Sequence, residues 1–257
     1  MQPFERLRAA VRWSSGLDEW SLLAESIQCL AGFGDDPAGL VMACRRLLVH
    51  HPSRARLWWV CARVATAIDP AEAAWDAWDR LELDATPSRI SAAVATVSGS
   101  VASLGWDDTV ETLARTRPDL EVLAVRTGDD AGLSMALRRS EIGARVVDVI
   151  EATVLEPAAV LVPVAAAGAG TVLLAPEAAR TLELLRSAAP ALLVAPLGTV
   201  LPEGLLGAYG RANDGRVASV PFDTFAGALG PTGLQDHRNF PNRRDTPEAP
   251  ELLRLTV

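Results

Sequence analysis

The stretch Thr96-Val97-Ser98-Gly99-Ser100 sets three hydroxyls and a glycine within five positions between apolar segments. Small side chains leave backbone N–H groups approachable and hydroxyls add donors, so the stretch suits a phosphate or another anion. The same residues also make an ordinary turn from strand to loop. Arg126, in the RTGDD stretch that follows another apolar run, is able to grip an anion with two parallel donors. Arg54 and Arg56 stand just ahead of the pair Trp58-Trp59, where they face a pocket from the helical side. The candidate ligand-binding residues are therefore Thr96, Ser98, Gly99, Ser100, Arg126 and Arg54.

Other chemistry is poorly supported. All 24 basic residues are arginine, which removes lysine Schiff bases and phosphate-loop lysines. Cys29, Cys44 and Cys61 are widely spaced and read as buried thiols of a reducing compartment rather than zinc ligands. His50 and His51 close a helix-like segment and His237 lies in a polar tail, positions better suited to capping and surface roles than to a catalytic triad. No catalytic residue, metal or cofactor is assigned. The net charge of -8 argues against nucleic acid as a partner.

These residues need elements to hold them. Residues 1–88 carry six of the seven tryptophans and repeat apolar positions at helical spacing, as at Leu40, Cys44, Leu47 and Leu48. Asp69 followed by Pro70 and Glu72 has the pattern of a helix start. From about residue 89 short apolar runs replace that period: SAAVATVS, EVLAVRT, ARVVDVI, AVLVPVA and ALLVAPL, with WDDTVETLARTRP, AGLSMALRRSE and PEAARTLELLRSA as helices between them. Strands without a polar side must be covered on both faces, so the expectation is an N-terminal helical domain, 1–88, and an α/β domain, 89–257, with a mostly parallel sheet and a C-terminal arm. Pro157 to Pro176 holds no charge, but Pro163, Gly168 and Gly170 break it, so it reads as two buried strands around a turn rather than a membrane span. The opening MQPFERLRAAVRW has no apolar core of a signal peptide, and a soluble cytoplasmic protein is expected.

The order of the pieces is a second source of expectation. A helical N-terminal region, the Thr96/Ser98/Ser100 loop, a strand ending in Arg126, and Val160-Leu161-Val162 running on to Ala166, Gly170 and Val172 together resemble one family. It joins the alpha, beta and delta regulatory subunits of translation initiation factor 2B to methylthioribose-1-phosphate and ribose-1,5-bisphosphate isomerases. The resemblance covers residues 35–230. It implies a Rossmann-like fold of the ribose-5-phosphate isomerase/CoA transferase type, assembly into dimers or larger homo-oligomers, and a phosphorylated ligand.

The departures matter as much. Where the isomerases have an acid/base cysteine, the resemblance puts Ser98; where their aspartate follows the VLV strand, Pro163, Val164 and Ala165 stand, and no aspartate occurs between Asp148 and Asp214. The family's Asn-Lys pair falls on Leu173 and Leu174, and its Arg-Pro loop survives as Arg126 with Gly132 one residue out of step. Loss of one such group costs roughly 100- to 10,000-fold in rate. The expectation is a sugar-phosphate or nucleotide binder without the family's isomerase chemistry. The alternative is an aldose–ketose isomerase whose catalytic groups have moved, to Glu151, Glu156 or Asp129.

Overall fold

The computed structural model describes residues 18–128, 144–236 and 245–255, with Glu5, Leu133, Ser134 and Leu137 besides. Five helices come first: α1 (Glu19–Ala31), α2 (Pro37–His50), α3 (Ala55–Ala65), α4 (Pro70–Glu82) and α5 (Thr86–Ala93). Aspartates start three of them. The side chains of Asp18, Asp36 and Asp69 accept from the N–H groups of Ser21, Gly39 and Glu72, and Pro37 and Pro70 occupy first-turn positions where no N–H is missed. The helix start read at Asp69 is thus present.

α3 is the middle of the helical layer, with nine of its eleven residues buried. A helix apolar nearly all round must be covered on every side. Trp58 and Trp59, adjacent on the helix, point in different directions, and both are fully buried. Trp58 meets Tyr209 edge-on at 5.9 Å and donates to Pro52 O, whereas Trp59 lies against Arg63 and donates to Asp245 O at 2.8 Å. The C-terminal segment 245–255 supplies that second cover. Thr246 Oγ1 donates to Val200 O, and the carbonyls of Glu251 and Leu253 accept from Arg45 and Arg211. Ala249 and Leu252 join the core of the helical layer.

The chain then alternates: β1 (Ser100–Ser103), α6 (Asp108–Thr116), β2 (Glu121–Val125), β3 (Arg145–Val147), α7 (Val149–Val154), β4 (Ala159–Pro163), β5 (Ala166–Ala167), β6 (Thr171–Leu174), α8 (Pro176–Leu185), β7 (Ala191–Val194), α9 (Glu203–Ala212), β8 (Ala218–Pro221), β9 (Gly227–Gly230) and β10 (Gly233–Gln235). One sheet runs β10-β9-β7-β4-β1-β2-β3, parallel throughout except for β10 at its edge. The α/β architecture with a mostly parallel sheet is as expected. From β1 the chain winds outward to β2 and β3, then returns to β4 on the other side of β1 and continues to β7 and β9. The order therefore reverses between β1 and β4, and in open α/β sheets ligands bind outside the carboxyl ends of the strands at such a point.

Two sequence readings change. SAAVATVS is not the first strand: α5 runs to Ala93 and a turn follows, with Val97 N–H donating to Val94 O. The helix is held at its start, where Asp84 accepts from the Thr86 N–H and hydroxyl and Pro87 sits in the first turn. Alanines at Ala92 and Ala93 follow the helix as readily as they would a strand. The charge-free stretch gives three strands rather than two, because Pro163 ends β4 in the main sheet, and β5 pairs with β6, which pairs with β8, in a second, antiparallel sheet. Among the described residues no helix is long and apolar enough to cross a membrane. The helix read at AGLSMALRRSE lies almost wholly outside the described residues.

Candidate functional site

The six sequence candidates do not come together. Thr96, Ser98, Gly99 and Ser100 lead into β1 rather than out of it, because the strand begins at Ser100. Thr96, Ser98 and Gly99 are exposed before the amino end of β1, with Gly99 at φ 85, and the half-buried Ser100 opens the strand. The expectation of a loop at the carboxyl end of a strand is corrected accordingly; it followed from reading α5 as β1. Ser100 pairs in register with Glu121, and Arg126 lies five residues beyond that at the other end of β2, about 16 Å along the strand. Arg126 is exposed, and its N–H donates to Val147 O. Among the relocated acids, Glu156 is exposed at the amino end of β4, and Glu151 is paired with Arg145. Neither reaches the reversal between β1 and β4. Asp129 and Gly132 lie outside the described residues.

Arg54 does reach it. A crevice of about 170 Å³ opens at the carboxyl ends of β1, β4 and β7, walled by Arg54 and Arg56 from α3 and by Asp107 from the loop after β1. Val164, Ala165, Pro196 and Thr199 complete its floor. The loop after β1 is tight: Leu104 N–H still bonds the sheet at Leu161 O, the Ser103 hydroxyl donates to Gly105 O, and Gly105 lies against the Pro163 ring. Gly198, at φ 82, lets the loop after β7 come against α3: a Cβ there would stand 3.3 Å from Arg56 Cα. Beneath the floor the Tyr209 hydroxyl donates to Ser53 O at 3.0 Å, tying the start of α3 to α9.

The two arginines differ in their commitments. Arg56 is buried, forms an ion pair with Glu19 at 3.0 Å and stacks over Trp20, yet its buried Nε donates to nothing among the described residues. Arg54 is exposed and, among the described residues, its guanidinium has no ion pair or side-chain hydrogen bond. It is the N-cap of α3, a position where it makes no capping bond, so the first N–H groups of that helix are left without a side-chain acceptor. An uncapped helix start beside two guanidinium groups favours negative charge.

Asp107 is the opposing group. It caps α6 by accepting from Thr109 and Val110 N–H at 3.0 and 2.9 Å. Burial lifts its carboxyl from 3.8 to about 6, against the pull of the Val110 and Thr109 N–H groups and of Arg56, and Asp108 adds to the rise. Near neutral pH the crevice therefore holds two arginines and two carboxylates, and it becomes more positive as Asp107 takes up a proton. Asp107 was missed in the sequence, although Trp106-Asp107-Asp108-Thr109 before an amphipathic run is a helix-start signal; only the true end of β1 shows that this helix start faces the reversal point.

With that geometry in hand, comparison with solved structures is informative. The tetrameric eIF2B-beta2-delta2 complex from C. thermophilum superposes with a TM-score of 0.64 at 14% identity, covering 93% of this chain and 92% of that one. The chain has the eIF2B beta/delta fold. The eIF2B beta subunit from Chaetomium thermophilum gives 0.65 at 13% identity, and the eIF-2B delta subunit from A. fulgidus gives 0.58 at 11%, each covering 93% of this chain and 89% of its own. No protein-family model matches the sequence, nor does any curated protein. Similarity at this level concerns backbone path, and the side chains of the crevice are this chain's own.

Proposed function

We propose that this eIF2B-fold protein binds a phosphorylated small molecule, a sugar phosphate or nucleotide, in the crevice at the carboxyl ends of β1, β4 and β7, without performing the isomerisation of the related enzymes. The observation that carries the reading is the Arg54 guanidinium on the uncapped start of α3, uncommitted among the described residues, beside an Arg56 Nε that has no partner among them either. A cavity of about 170 Å³ is smaller than the roughly 300–1,000 Å³ of sites that engulf drug-sized ligands, so it takes the phosphate end and leaves the remainder outside. In keeping with the tetrameric assembly named for its structural neighbour, the chain works as a homodimer or larger homo-oligomer, which light scattering tests directly.

Thermal melting with sulfate, ribose 5-phosphate and nucleoside monophosphates is the test of binding. A ligand at a hundred times its Kd adds about 2.7 kcal/mol, a rise of about 5–10 °C in Tm for a chain of this size. Arg54→Ala removes most of that rise and leaves the unliganded Tm within about 2 °C, since Arg54 is exposed. Absence of a shift with every anion overturns the reading.

One observation favours a second reading. A carboxyl group held near 6 beside an anion site is poised for proton transfer, so Asp107 would serve an aldose–ketose isomerase as its acid/base group. Incubation of ribose phosphates in D2O decides between them: stereospecific deuterium uptake that Asp107→Asn abolishes establishes the enzyme, and no uptake removes it.

A further inference from the structure

Arg56 has a second side. A cleft of about 490 Å³ lies there, between α1, α4 and the start of α6, and its apolar walls are the indoles of Trp20 and Trp78 with Leu81 and Pro87. The indoles are fixed in place. Trp20 meets Trp78 edge-on at 6.1 Å and donates from Nε1 to Asp108 Oδ2 at 2.8 Å.

Three carboxylates stand around this aromatic wall: Glu82, Asp84 and Asp108. Asp84 is held by the Thr86 N–H and hydroxyl and by the Leu197 N–H, and Asp108 by the Trp20 indole, all neutral donors. Among the described residues none of the three has a cationic partner. Arg56, the one cation in the lining among the described residues, is matched by Glu19. The cleft therefore carries a net charge of -2 from its own lining, -3 against the single +1 of Arg56. Carboxylates without a cationic partner attract a cation by Coulomb attraction, and an aromatic wall in the same cleft adds contact area and the pull of the ring quadrupole. Among the described residues no three acidic, histidine or cysteine side chains gather closely enough to hold a metal ion. The charges are spread, which suits an extended organic cation, and the volume falls in the range of small-molecule sites.

We propose that this cleft binds a small organic cation, an alkylammonium or guanidinium compound, with its charged group between Glu82 and Asp108 and its carbon chain along Trp78 and Leu81. The site is separate from the anion crevice and does not depend on it.

Isothermal titration calorimetry with agmatine, which has both cationic groups, tests it, with neutral pentanamide as comparator. Agmatine binds and pentanamide does not. Glu82→Arg weakens agmatine by about tenfold or more without moving Tm, because Glu82 is exposed and has no side-chain bond among the described residues. Trp78→Leu, with its Tm checked, weakens it as well, and Arg54→Ala leaves it unchanged. The proposal is overturned by absence of agmatine binding, by equal binding to the Glu82→Arg protein, or by pentanamide binding as tightly. It is also overturned if acetyl-Gly-Arg-Gly-amide binds far more tightly than agmatine, for the cleft would then receive a side chain of a protein partner.

Discussion

Replacing Asp107 by asparagine tests the electrostatics of the crevice. Asparagine caps a helix about as well as aspartate, so the bonds from Thr109 and Val110 keep an acceptor while the charge disappears. In the folded chain burial raises the carboxyl from 3.8 to about 6. The folded state thus holds the proton more tightly than the unfolded one, and stability falls as pH rises from about 4 to about 6, then stays at the lower level. A rise of this size corresponds to about 3 kcal/mol, and water at the open side of the crevice reduces it to about 1–3 kcal/mol. Asp107→Asn is accordingly more stable than the parent at pH 7.5 by about 3–10 °C in Tm. The gap closes as pH falls toward 4. Thermal melts of both proteins from pH 4 to 8, followed by circular dichroism, give the curve. A gap independent of pH, or a variant less stable at pH 7.5, would refute the account, since either means that the ionised carboxylate is not under strain. The same proton changes ligand binding: sulfate, whose charge is constant over this range, binds the parent more tightly at pH 5.5 than at 7.5, and the variant equally at both.

Two further substitutions probe how the crevice is built. Gly198→Ala introduces a Cβ at a φ of 82 and within 3.3 Å of the α3 backbone, so it lowers stability by about 1–3 kcal/mol in chemical denaturation and weakens phosphate binding, whereas a loop that gives way freely would show neither. Tyr209→Phe removes the bond to Ser53 O and costs about 1–2 kcal/mol by the same measurement; an unchanged midpoint would mean that the hydroxyl is not needed to hold the start of α3.

The overall architecture was legible because periodicity is a local property. Runs such as Ala159–Val162 and Ala191–Val194 announce buried parallel strands, and Asp69-Pro70 announces a helix start. Site location was less so, because it depends on which end of a strand a loop occupies, and that turned on one ambiguous segment. Ser91–Val97 is rich in alanine and valine, compatible with either period; in the fold its first three residues end α5 and the rest turn, after a helix start held by the bonds of Asp84 to Thr86 and to the distant Leu197 N–H. With that strand moved to Ser100–Ser103, the hydroxyl-rich turn passed to the wrong end of the sheet and Asp107 came to the right one. Arg54 was identifiable from its neighbours Trp58 and Trp59, whose burial fixes the helix that carries it. The role of Glu19, Trp20 and Asp108 was not legible, since their meeting joins positions 88 residues apart.

The closing segment sets an order on how this molecule is made. Trp59 finds the acceptor for its indole only at Asp245, 186 positions later, and Arg45 waits for a carbonyl 206 positions away. While the ribosome is still producing the sheet, the early helices have a half-finished interior with an indole N–H still unsatisfied. Such distant closure slows the search for the native state, so the helical layer stays open on the α3 side until segment 245–255 has been made and has folded back over it.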